Sequence, residues 1–404
     1  MSQHLQRTPQ DLSRMARRVH PIGVSVFSEM SRLAAEHNAV NLSQGFPDFP
    51  APDWLKEAAR DAIAHDINQY APGQGSARLR KAIAEKAERY MGIRFDENLE
   101  ITVTNGATEA IFDVIQALVD PGDEVIVFEP FYDSYVPSIE IAGGTPRFVQ
   151  LRAPDWNFDS SELASLFNSR TRALILNTPH NPTGKVYSRD ELELIAGLCK
   201  RHDVVVITDE VYEFLVYDGN EHISMASLEG MKDRTVTINS AAKTFSITGW
   251  KVGYVLAPPD LTEALRRVHQ FVTFCAVAPV QEAIALAVET AESRGYYTEL
   301  QEAYTARMDK LLGFLERAGL RPIRPQGTFF IMSDISGLGF RDDIEFARFM
   351  TAEVGVACIP PSSFYHDPSE GANLCRWCFA KTDATLDAAG ERLLKWAASR
   401  RVPG

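Results

Sequence analysis

The sequence is poor in cysteine, and its cysteines form no recognisable framework. There are five, an odd number, and only Cys375 and Cys378 in CRWC have a spacing that metal sites use. No second pair or histidine cluster completes such a site, and on a strand these two side chains would face opposite sides. We therefore predict reduced thiols, no metal site and a cytoplasmic location.

Long apolar runs and an excess of positive charge are also missing. No stretch approaches the ~20 apolar residues of a membrane-spanning helix, and residues 1–18 lack the apolar core of a signal peptide. Lys and Arg number 41 against 54 Asp and Glu, which gives a formal net charge of −13. We therefore expect neither nucleic acid nor a membrane as partner, although a local cationic pocket is compatible with this charge.

The chain does contain ample apolar material for a large core, with 404 residues of which 45% are hydrophobic. From about residue 100 to 260, short β-branched runs alternate with amphipathic helical stretches. Because both faces of these strands look apolar, we predict a mainly parallel sheet covered by helices. The predicted strands are EITVT, EVIVFEP, RALILNTP, DVVVITDE, TVTINS and VGYVLAPP.

The pattern changes toward the C-terminus. The stretch from PVQEAIALAVETAES through KLLGFLERAG looks helical, and a further helix near DDIEFARFMTAEVG precedes a turn at PPSS, the strand LCRWCFA and a final helix. We predict an α/β chain in three parts. These are an N-terminal segment (1–45) packing with the small domain, a large domain (46–295) and a smaller α+β domain (296–404).

Conspicuous polar residues stand at the ends of the predicted strands, where open α/β sheets bind their ligands. Ser240, Lys243 and Lys251 follow TVTINS in SAAKTFSITGWK. Because lysine is costly to bury, Lys243 either extends into water or has small neighbours that clear space for a flat ligand. Asp209 ends DVVVITDE, where it either caps the next helix or faces a buried cation.

Three more motifs carry both a structural and a functional interpretation. TNGATEA (104–110) opens a helix as an ordinary capped turn or as a phosphate site. NTPHNPTG (177–184) combines Asn and Pro and indicates a rigid polar wall. Arg376, inside an apolar strand, suits either a substrate carboxylate or a structural ion pair.

Together these groups suit pyridoxal 5′-phosphate, which requires a Schiff-base lysine, an acid for its pyridine nitrogen, a partner for its ring oxygen and a phosphate cup. The sequence resembles fold type I pyridoxal-phosphate enzymes, the class I aminotransferases, over nearly its whole length. It is most similar to the kynurenine and glutamine aminotransferase branch, which includes bacterial methionine aminotransferases. The resemblance rests on NLSQGFPDF, NQYAPGQG, EPFYDSY, NTPHNPTG, DEVY, SAAKTFSITGWKVGY, IPPSSFY and RWCFAK.

The resemblance implies roles toward the cofactor, and it makes residues 46–295 the cofactor-binding domain. By it, Lys243 carries the internal aldimine and moves the substrate α-proton, while Asp209 keeps the pyridine nitrogen protonated. The remaining implied contacts are Asn181 and Tyr212 to the ring oxygen, Tyr132 to the ring face, Gly106, Ala107, Thr108, Ser240 and Lys251 to the phosphate, and Tyr70 to the phosphate across a homodimer interface.

It also implies the substrate contacts. Arg376, Asn181 and the backbone at Gly45 would hold the α-carboxylate. The implied side-chain pocket is aromatic and consists of Phe46, Phe274, Phe364 and Trp377. The sequence departs from many class I enzymes at two positions: Lys251 replaces an arginine, as is common in the kynurenine branch, and Ala242 replaces a phosphate-binding serine, which should weaken the hold on the cofactor modestly.

The implied reaction is ping-pong transfer of an amino group from an L-amino acid to a 2-oxo acid. Because no second arginine is evident for a distal carboxylate, we expect aromatic, sulfur-containing or glutamine-like donors. A cysteine-conjugate β-lyase and an aminotransferase for N-acyl-diaminopimelate-type substrates are the alternatives. A transcription regulator with an aminotransferase-like domain is disfavoured, since only about forty residues precede GFPDF, too few for a folded DNA-binding domain.

Overall fold

A computed structural model describes residues 14–20, 22–23 and 25–400, so most of residues 1–18, where we predicted no signal peptide, lies outside the described residues. The helices are α1 (Val26–Glu36), α2 (Asp53–Ala64), α3 (Ala77–Met91), α4 (Ala107–Leu118), α5 (Tyr135–Ala142), α6 (Ser160–Ser165), α7 (Arg189–His202), α8 (Ala241–Thr244), α9 (Pro259–Val272), α10 (Ala278–Thr290), α11 (Tyr296–Arg317), α12 (Asp343–Phe349) and α13 (Asp383–Arg400). The strands are β1 (Val40–Asn41), β2 (Ile101–Thr104), β3 (Glu124–Glu129), β4 (Thr145–Gln150), β5 (Thr171–Asn177), β6 (Val205–Asp209), β7 (Thr235–Ser240), β8 (Gly253–Leu256), β9 (Arg321–Ile323), β10 (Phe330–Asp334), β11 (Val356–Ala357) and β12 (Leu374–Cys378).

The larger sheet has seven strands in the order β2–β8–β7–β6–β5–β3–β4. Strand β8 runs antiparallel to both of its neighbours, and the other strand pairs are parallel. All the strands predicted between residues 100 and 260 are present, which confirms a mainly parallel sheet. Alternate side chains of one strand enter two separate cores, as Ile126 and Val127 do, because helices cover both faces.

The register of the parallel strands aligns their polar ends. Asn177 at the end of β5 pairs with Asp209 at the end of β6, and Asp209 pairs with Ile238 of β7. Ser240 ends β7 two residues later, directly before α8. The sheet therefore brings side chains from distant parts of the sequence to one edge.

The sequence analysis did not predict strand β4. Its residues, TPRFVQ, alternate between exposed and more buried positions, and only Val149 is fully buried. β4 lies at the edge of the sheet, where one neighbour and partial solvent exposure relax the demand for apolar residues. An edge strand of this kind lacks the continuous apolar run that identified the others.

The C-terminal part builds a second, antiparallel sheet in the order β12–β10–β9, which packs in one core with α11 and α13. The predicted strand LCRWCFA is β12, and the predicted final helix is α13. The stretch predicted as helical after residue 279 is interrupted at Gly295, which adopts φ 69° between α10 and α11. The N-terminal strand β1 pairs in parallel with β11.

None of the described helices combines the length and the apolar content that crossing a membrane requires. The five cysteines are unpaired, in agreement with the prediction of free thiols. Cys375 and Cys378 both belong to β12, three residues apart, where alternate residues face opposite sides of the strand.

Candidate active site

A cavity of about 250 Å³ opens at the edge where β5, β6 and β7 end. Its other walls come from the amino end of α4, the loop at residues 44–46 and strands β10 and β12. Most of the site residues predicted from the sequence line it. They are Gly45, Phe46, Gly106, Ala107, Thr108, Tyr132, Asn181, Asp209, Tyr212, Ser240, Lys243, Lys251 and Arg376.

Lys243 points into the cavity rather than into water. It lies in α8, a single turn that begins where the Ser240 hydroxyl accepts a hydrogen bond from the Ala242 N–H. The ammonium Nζ donates to the Gly45 carbonyl at 3.1 Å and lies over the rings of Tyr212 and Phe329. Burial lowers the pKa of Lys243 to about 8, so a sizeable fraction of neutral, nucleophilic amine exists near neutral pH.

Asp209 is a buried carboxylate, and within the described part of the chain it has no ion-pair partner. It accepts a hydrogen bond from the Tyr135 hydroxyl at 2.7 Å and a longer one from the Val211 N–H. Burial raises the pKa of Asp209 to about 6. A cationic ligand group at this carboxylate would offset the cost of burying its charge. Sequence analysis missed Tyr135, although it belongs to the motif EPFYDSY.

Arg376 lies in β12, is 1% exposed and carries an unused donor. Its Nη1 donates to Asn181 Oδ1 at 3.1 Å and its Nη2 to the Ser43 carbonyl at 3.0 Å, while Nε has no partner. Three aromatic rings surround the guanidinium, the nearest being that of Phe330 at 4.0 Å. Among the described residues no carboxylate forms an ion pair with Arg376, which favours an incoming acid group over a structural ion pair.

Two asparagines connect this arginine to Asp209. The Asn181 N–H donates to Asn177 Oδ1 at 2.6 Å, and the Asn177 amide donates to the Asp209 carbonyl at 2.8 Å. The NTPHNPTG segment is therefore the rigid polar wall that the sequence predicted. Asn177 also lines the cavity and was not among the predicted site residues.

The amino end of α4 forms a small cup beside Lys251. Gly106 precedes the helix with φ 85°, and a Cβ built there would lie 3.3 Å from both Cε and Nζ of Lys251. A Cβ on Gly253 would lie 2.6 Å from the Gly106 carbonyl carbon. Glycine is therefore required at both positions, and the free N–H groups of a helix start beside a lysine fit a phosphate.

Four predicted site residues, Tyr70, Phe274, Phe364 and Trp377, do not line the cavity. Tyr70 is 83% exposed and packs edge-on against Phe274, which is also on the surface. Phe364 is buried, and its ring centre lies 5.4 Å from the Arg376 guanidinium carbon. Trp377, the fourth aromatic residue of the implied pocket, is buried against Phe346 in the core of the smaller sheet.

Several apolar wall residues gave no chemical signal in the sequence. The cavity is also lined by Phe27, Ile111, Val211 and Phe330, together with Gln44 and Thr248. Phe27 and Phe330 are close to Arg376, although their numbers are far apart. Only the tertiary fold brings such residues to the site.

Lys381 is a buried lysine that fixes the 44–46 loop by hydrogen bonds from outside the cavity. It follows β12, is 2% exposed, and donates to the carbonyls of Gln44 at 3.2 Å and Phe46 at 2.7 Å. Its ammonium also lies 4.8 Å from the centre of the Phe46 ring. The same loop presents the Gly45 carbonyl to Lys243. Lys381 therefore sets the position of one cavity wall without lining the main cavity itself.

These groups fit pyridoxal phosphate. The cavity offers a partly neutral amine, a buried carboxylate that needs a cation, a helix-end cup for a phosphate and an arginine with a free donor. This combination, on a mainly parallel sheet with a smaller antiparallel sheet beside it, defines a pyridoxal-phosphate-dependent enzyme of fold type I.

Comparison with known proteins places the chain within this class. The family model of class I and II aminotransferases matches residues 37–393, so the chain belongs to that family and depends on pyridoxal phosphate. Human kynurenine–oxoglutarate transaminase 1 is 44% identical over 412 residues, with 94% of this chain and 98% of the human protein covered.

Two solved structures share both fold and sequence with the chain. YbdL of Escherichia coli, described as having a methionine aminotransferase function, superposes with a TM-score of 0.91 at 41% identity, covering 94% of this chain and 99% of that one. N-succinyldiaminopimelate aminotransferase of Mycobacterium tuberculosis gives a TM-score of 0.91 at 44% identity with the same coverage. The predicted fold class, cofactor and transaminase activity are thereby confirmed.

Proposed function

We propose that this aminotransferase takes its amino group from L-amino acids with apolar, aromatic, sulfur-containing or glutamine-like side chains. The observation that carries this proposal is the charge of the cavity wall. Its cationic residues within the described chain are Lys243, Lys251 and Arg376, and none is left for a distal carboxylate once the cofactor and the α-carboxylate are bound. Similarity to kynurenine and methionine aminotransferases supports the same class of donor.

We assign each residue at the cavity a role that the class I aminotransferase family implies and that its position in the cavity allows. Pyridoxal phosphate, when bound, supplies an electron sink for negative charge at the substrate α-carbon. Asp209 would hold a proton at the pyridine nitrogen of the bound cofactor, and Tyr135 orients this carboxylate. Lys243, whose pKa burial lowers to about 8, would hold the cofactor covalently and would then accept and return the substrate's α-proton.

The remaining residues bind and orient. Asn181 and Tyr212 would bind the ring oxygen of the cofactor and Tyr132 would cover its ring face, while Arg376 and the Gly45 carbonyl would position the substrate's α-carboxylate and amino group. The amino end of α4, together with Ser240 and Lys251, would hold the phosphate. Arg376 is preorganised because Asn181, Ser43 and three rings hold its guanidinium before substrate arrives.

A single-turnover screen tests the donor class. Purified holoenzyme is mixed with one amino acid at a time, and the loss of the bound cofactor's long-wavelength absorbance is followed together with release of the 2-oxo acid. We expect kynurenine, methionine, glutamine and phenylalanine to react faster than aspartate. Aspartate reacting fastest, or no amino acid reacting at all, would contradict the proposal.

Two alternative activities are separated by their products. A cysteine-conjugate β-lyase would release pyruvate and ammonia from a cysteine conjugate without needing a 2-oxo acid acceptor. The similarity to N-succinyldiaminopimelate aminotransferase supports a second donor candidate, an N-acylated diamino acid. Including both compounds in the screen ranks them directly against the apolar donors.

We further propose that the enzyme works as a homodimer. Exposed apolar side chains gather where Tyr70 packs against Phe274, next to the exposed Phe271, Val272 and Val277. Phe271 is 86% exposed, which is unfavourable for a side chain that remains in water. This surface adjoins the phosphate cup, because the Asn105 amide donates to the Thr273 hydroxyl at 2.6 Å. A second copy covering it would bring the partner's Tyr70 toward the site.

Substitution of Phe271 tests this interface. We expect Phe271→Asp to raise the dimer dissociation constant at least about tenfold, because a buried aromatic contact is lost and a charge is introduced. Sedimentation velocity across a dilution series measures the change. Leu194→Asp, an exposed apolar position on α7, is the matched control and should leave the dimer intact. A monomeric wild-type enzyme with full activity would contradict the dimer.

Substitution of Lys381 tests how far the 44–46 loop controls the donor site. We expect Lys381→Met to raise KM for amino-acid donors by about tenfold and to change kcat much less, since the loop loses two hydrogen bonds while the catalytic groups remain. Steady-state kinetics with methionine measures both constants. Lys310→Met, which removes a more exposed lysine bonded to Asp383 and Asp387, is the control and should leave KM unchanged.

A further inference from the structure

A buried polar cluster lies behind the phosphate cup and outside the cavity. His269, in the last turn of α9, is 1% exposed. Its Nδ1 is 2.7 Å from Glu109 Oε1 and 3.3 Å from Asp113 Oδ2, both on α4, and its Nε2 is 3.0 Å from the Gly73 carbonyl oxygen. Both ring nitrogens therefore face oxygen acceptors. Only the doubly protonated imidazolium can donate to both sides at once.

The charges around the ring support this protonation state. Glu109 and Asp113 are the titratable groups that face His269. Residues 70–75 contribute only the Gly73 carbonyl. The nearby Arg266 of α9 instead donates to the Thr102 hydroxyl of β2 and to the carbonyls of Asn98 and Ile101. Burial alone would lower the pKa of His269. Hydrogen bonds and charge attraction from Asp113 and Glu109 outweigh burial and raise this pKa to about 9. A cation in the last turn of a helix is also favoured by the helix dipole.

A proton explains the cluster better than a metal ion. The ligand atoms of His269, Glu109 and Asp113 lie within 4.8 Å of one another, which is compatible with a metal site. However, Nδ1 and Glu109 Oε1 are only 2.7 Å apart, a hydrogen-bond distance. Two ligands each at roughly 2.1 Å from a zinc ion in tetrahedral geometry would lie farther apart than that.

The cluster connects three segments of the chain. The second oxygen of Glu109 accepts from the Asn105 N–H at 2.6 Å, which fixes the turn that opens α4. The His269 carbonyl accepts from the N–H groups of Thr273 and Phe274, next to Tyr70. The hydrogen bond between His269 Nε2 and the Gly73 carbonyl fixes the segment formed by residues 70–75. His269 is thus linked through Glu109 to the phosphate-cup turn, through its backbone carbonyl to the end of α9, and through Nε2 to the segment that carries Tyr70.

We propose that His269 is a positioning residue that couples the phosphate-cup end of α4 to the 70–75 segment at the subunit interface. The inference rests on the proposed phosphate site and homodimer. His269 touches neither cofactor nor substrate. It acts by holding Glu109 and Gly73 at a fixed separation, so that cofactor binding and subunit association stabilise each other.

The variants His269→Phe and Glu109→Gln test this coupling. For His269→Phe we expect the dissociation constants of pyridoxal phosphate and of the dimer each to rise at least about tenfold. At saturating cofactor and protein concentration, kcat should change by less than about threefold. Glu213→Gln, which removes one partner of another buried ion pair, that with Lys86, is the control. It should leave both dissociation constants near those of the wild type.

The conservative variant Glu109→Gln adds a second test, the pH dependence of cofactor affinity, which would not change if His269 had a purely structural role. Glu109→Gln removes a charge that raises the pKa of His269, so this pKa should fall toward the ordinary histidine value of about 6.5. Cofactor affinity should then weaken as pH rises from 6 to 8, while the wild-type affinity should show no His269-linked step in this range. NMR of the wild-type imidazole should show no titration of His269 between pH 6 and 8.

The outcomes separate this inference from the proposed function. If the wild-type enzyme binds the cofactor and dimerises, but His269→Phe leaves both dissociation constants unchanged, the coupling is wrong and the function stands. Titration of the wild-type His269 near pH 6.5 would also overturn it. If the wild-type enzyme neither binds pyridoxal phosphate at Lys243 nor dimerises, the proposed site and dimer are wrong. Should His269→Phe fail to fold, the NMR titration and Glu109→Gln still decide.

Discussion

Replacing Lys243 by alanine is expected to abolish turnover and to leave the fold intact. The side chain is the only lysine of the α8 turn, and its Nζ reaches the cavity beside the Gly45 carbonyl. In the proposed mechanism, the enzyme without this lysine loses both the covalent attachment of the cofactor and the base that moves the α-proton. Proton transfer by a positioned base contributes roughly 10²–10⁴-fold, so we expect kcat/KM to fall by at least about 10³-fold.

Three measurements accompany this variant. Circular dichroism and the melting temperature should stay close to those of the wild type, because the removed ammonium has no carboxylate within hydrogen-bond distance in the described chain. Borohydride reduction of wild-type holoenzyme and peptide mapping should place the pyridoxyl label on Lys243. Lys251→Ala is the control: it should weaken cofactor affinity but still turn over at saturating cofactor. Ordinary activity in Lys243→Ala, or a label elsewhere, would disprove the assignment.

Substituting Asp209 by asparagine is expected to have the second-largest effect. The asparagine preserves the volume and can still accept from the Tyr135 hydroxyl. It cannot carry the negative charge that, in the proposed mechanism, keeps a proton on the bound pyridine nitrogen. Removing one preorganised electrostatic contact in an active site costs about 10²–10³-fold in rate. We expect kcat to fall by that factor, with only a modest change in cofactor affinity.

Two further variants distinguish charge from position. Asp209→Glu retains the carboxylate and should recover part of the lost rate, although the longer side chain displaces it from Tyr135. In the wild type, the hydrogen bond from Tyr135 lowers the pKa of Asp209. Tyr135→Phe removes this bond but retains the charge of Asp209, so the rate loss should be smaller than in Asp209→Asn. Stopped-flow measurement of the half-reaction with methionine compares them. Equal rates in Asp209→Asn and wild type would contradict the role of the carboxylate.

The sequence was informative where local chemistry repeats a strong pattern. Continuous β-branched runs identified the buried parallel strands, and polar motifs at their ends identified most of the cavity wall. It failed where the environment is mixed, as at strand β4, whose edge position needs no continuous apolar run. The family resemblance implied that Trp377 and Phe364 line the substrate pocket, whereas both are buried core residues in the structure.

By itself, the amino-acid sequence determined the class of fold, the cofactor and the residues able to react, because reactive groups stand in fixed order after buried strands. Only the tertiary structure decided which of these groups are desolvated, which donors stay free and what fixes them in place. Tyr135 against Asp209, Lys381 behind the 44–46 loop and His269 between α4 and Gly73 all join residues distant in the chain. Burial and hydrogen bonding between such residues depend on the folded neighbours of each group, and no local pattern contains that information.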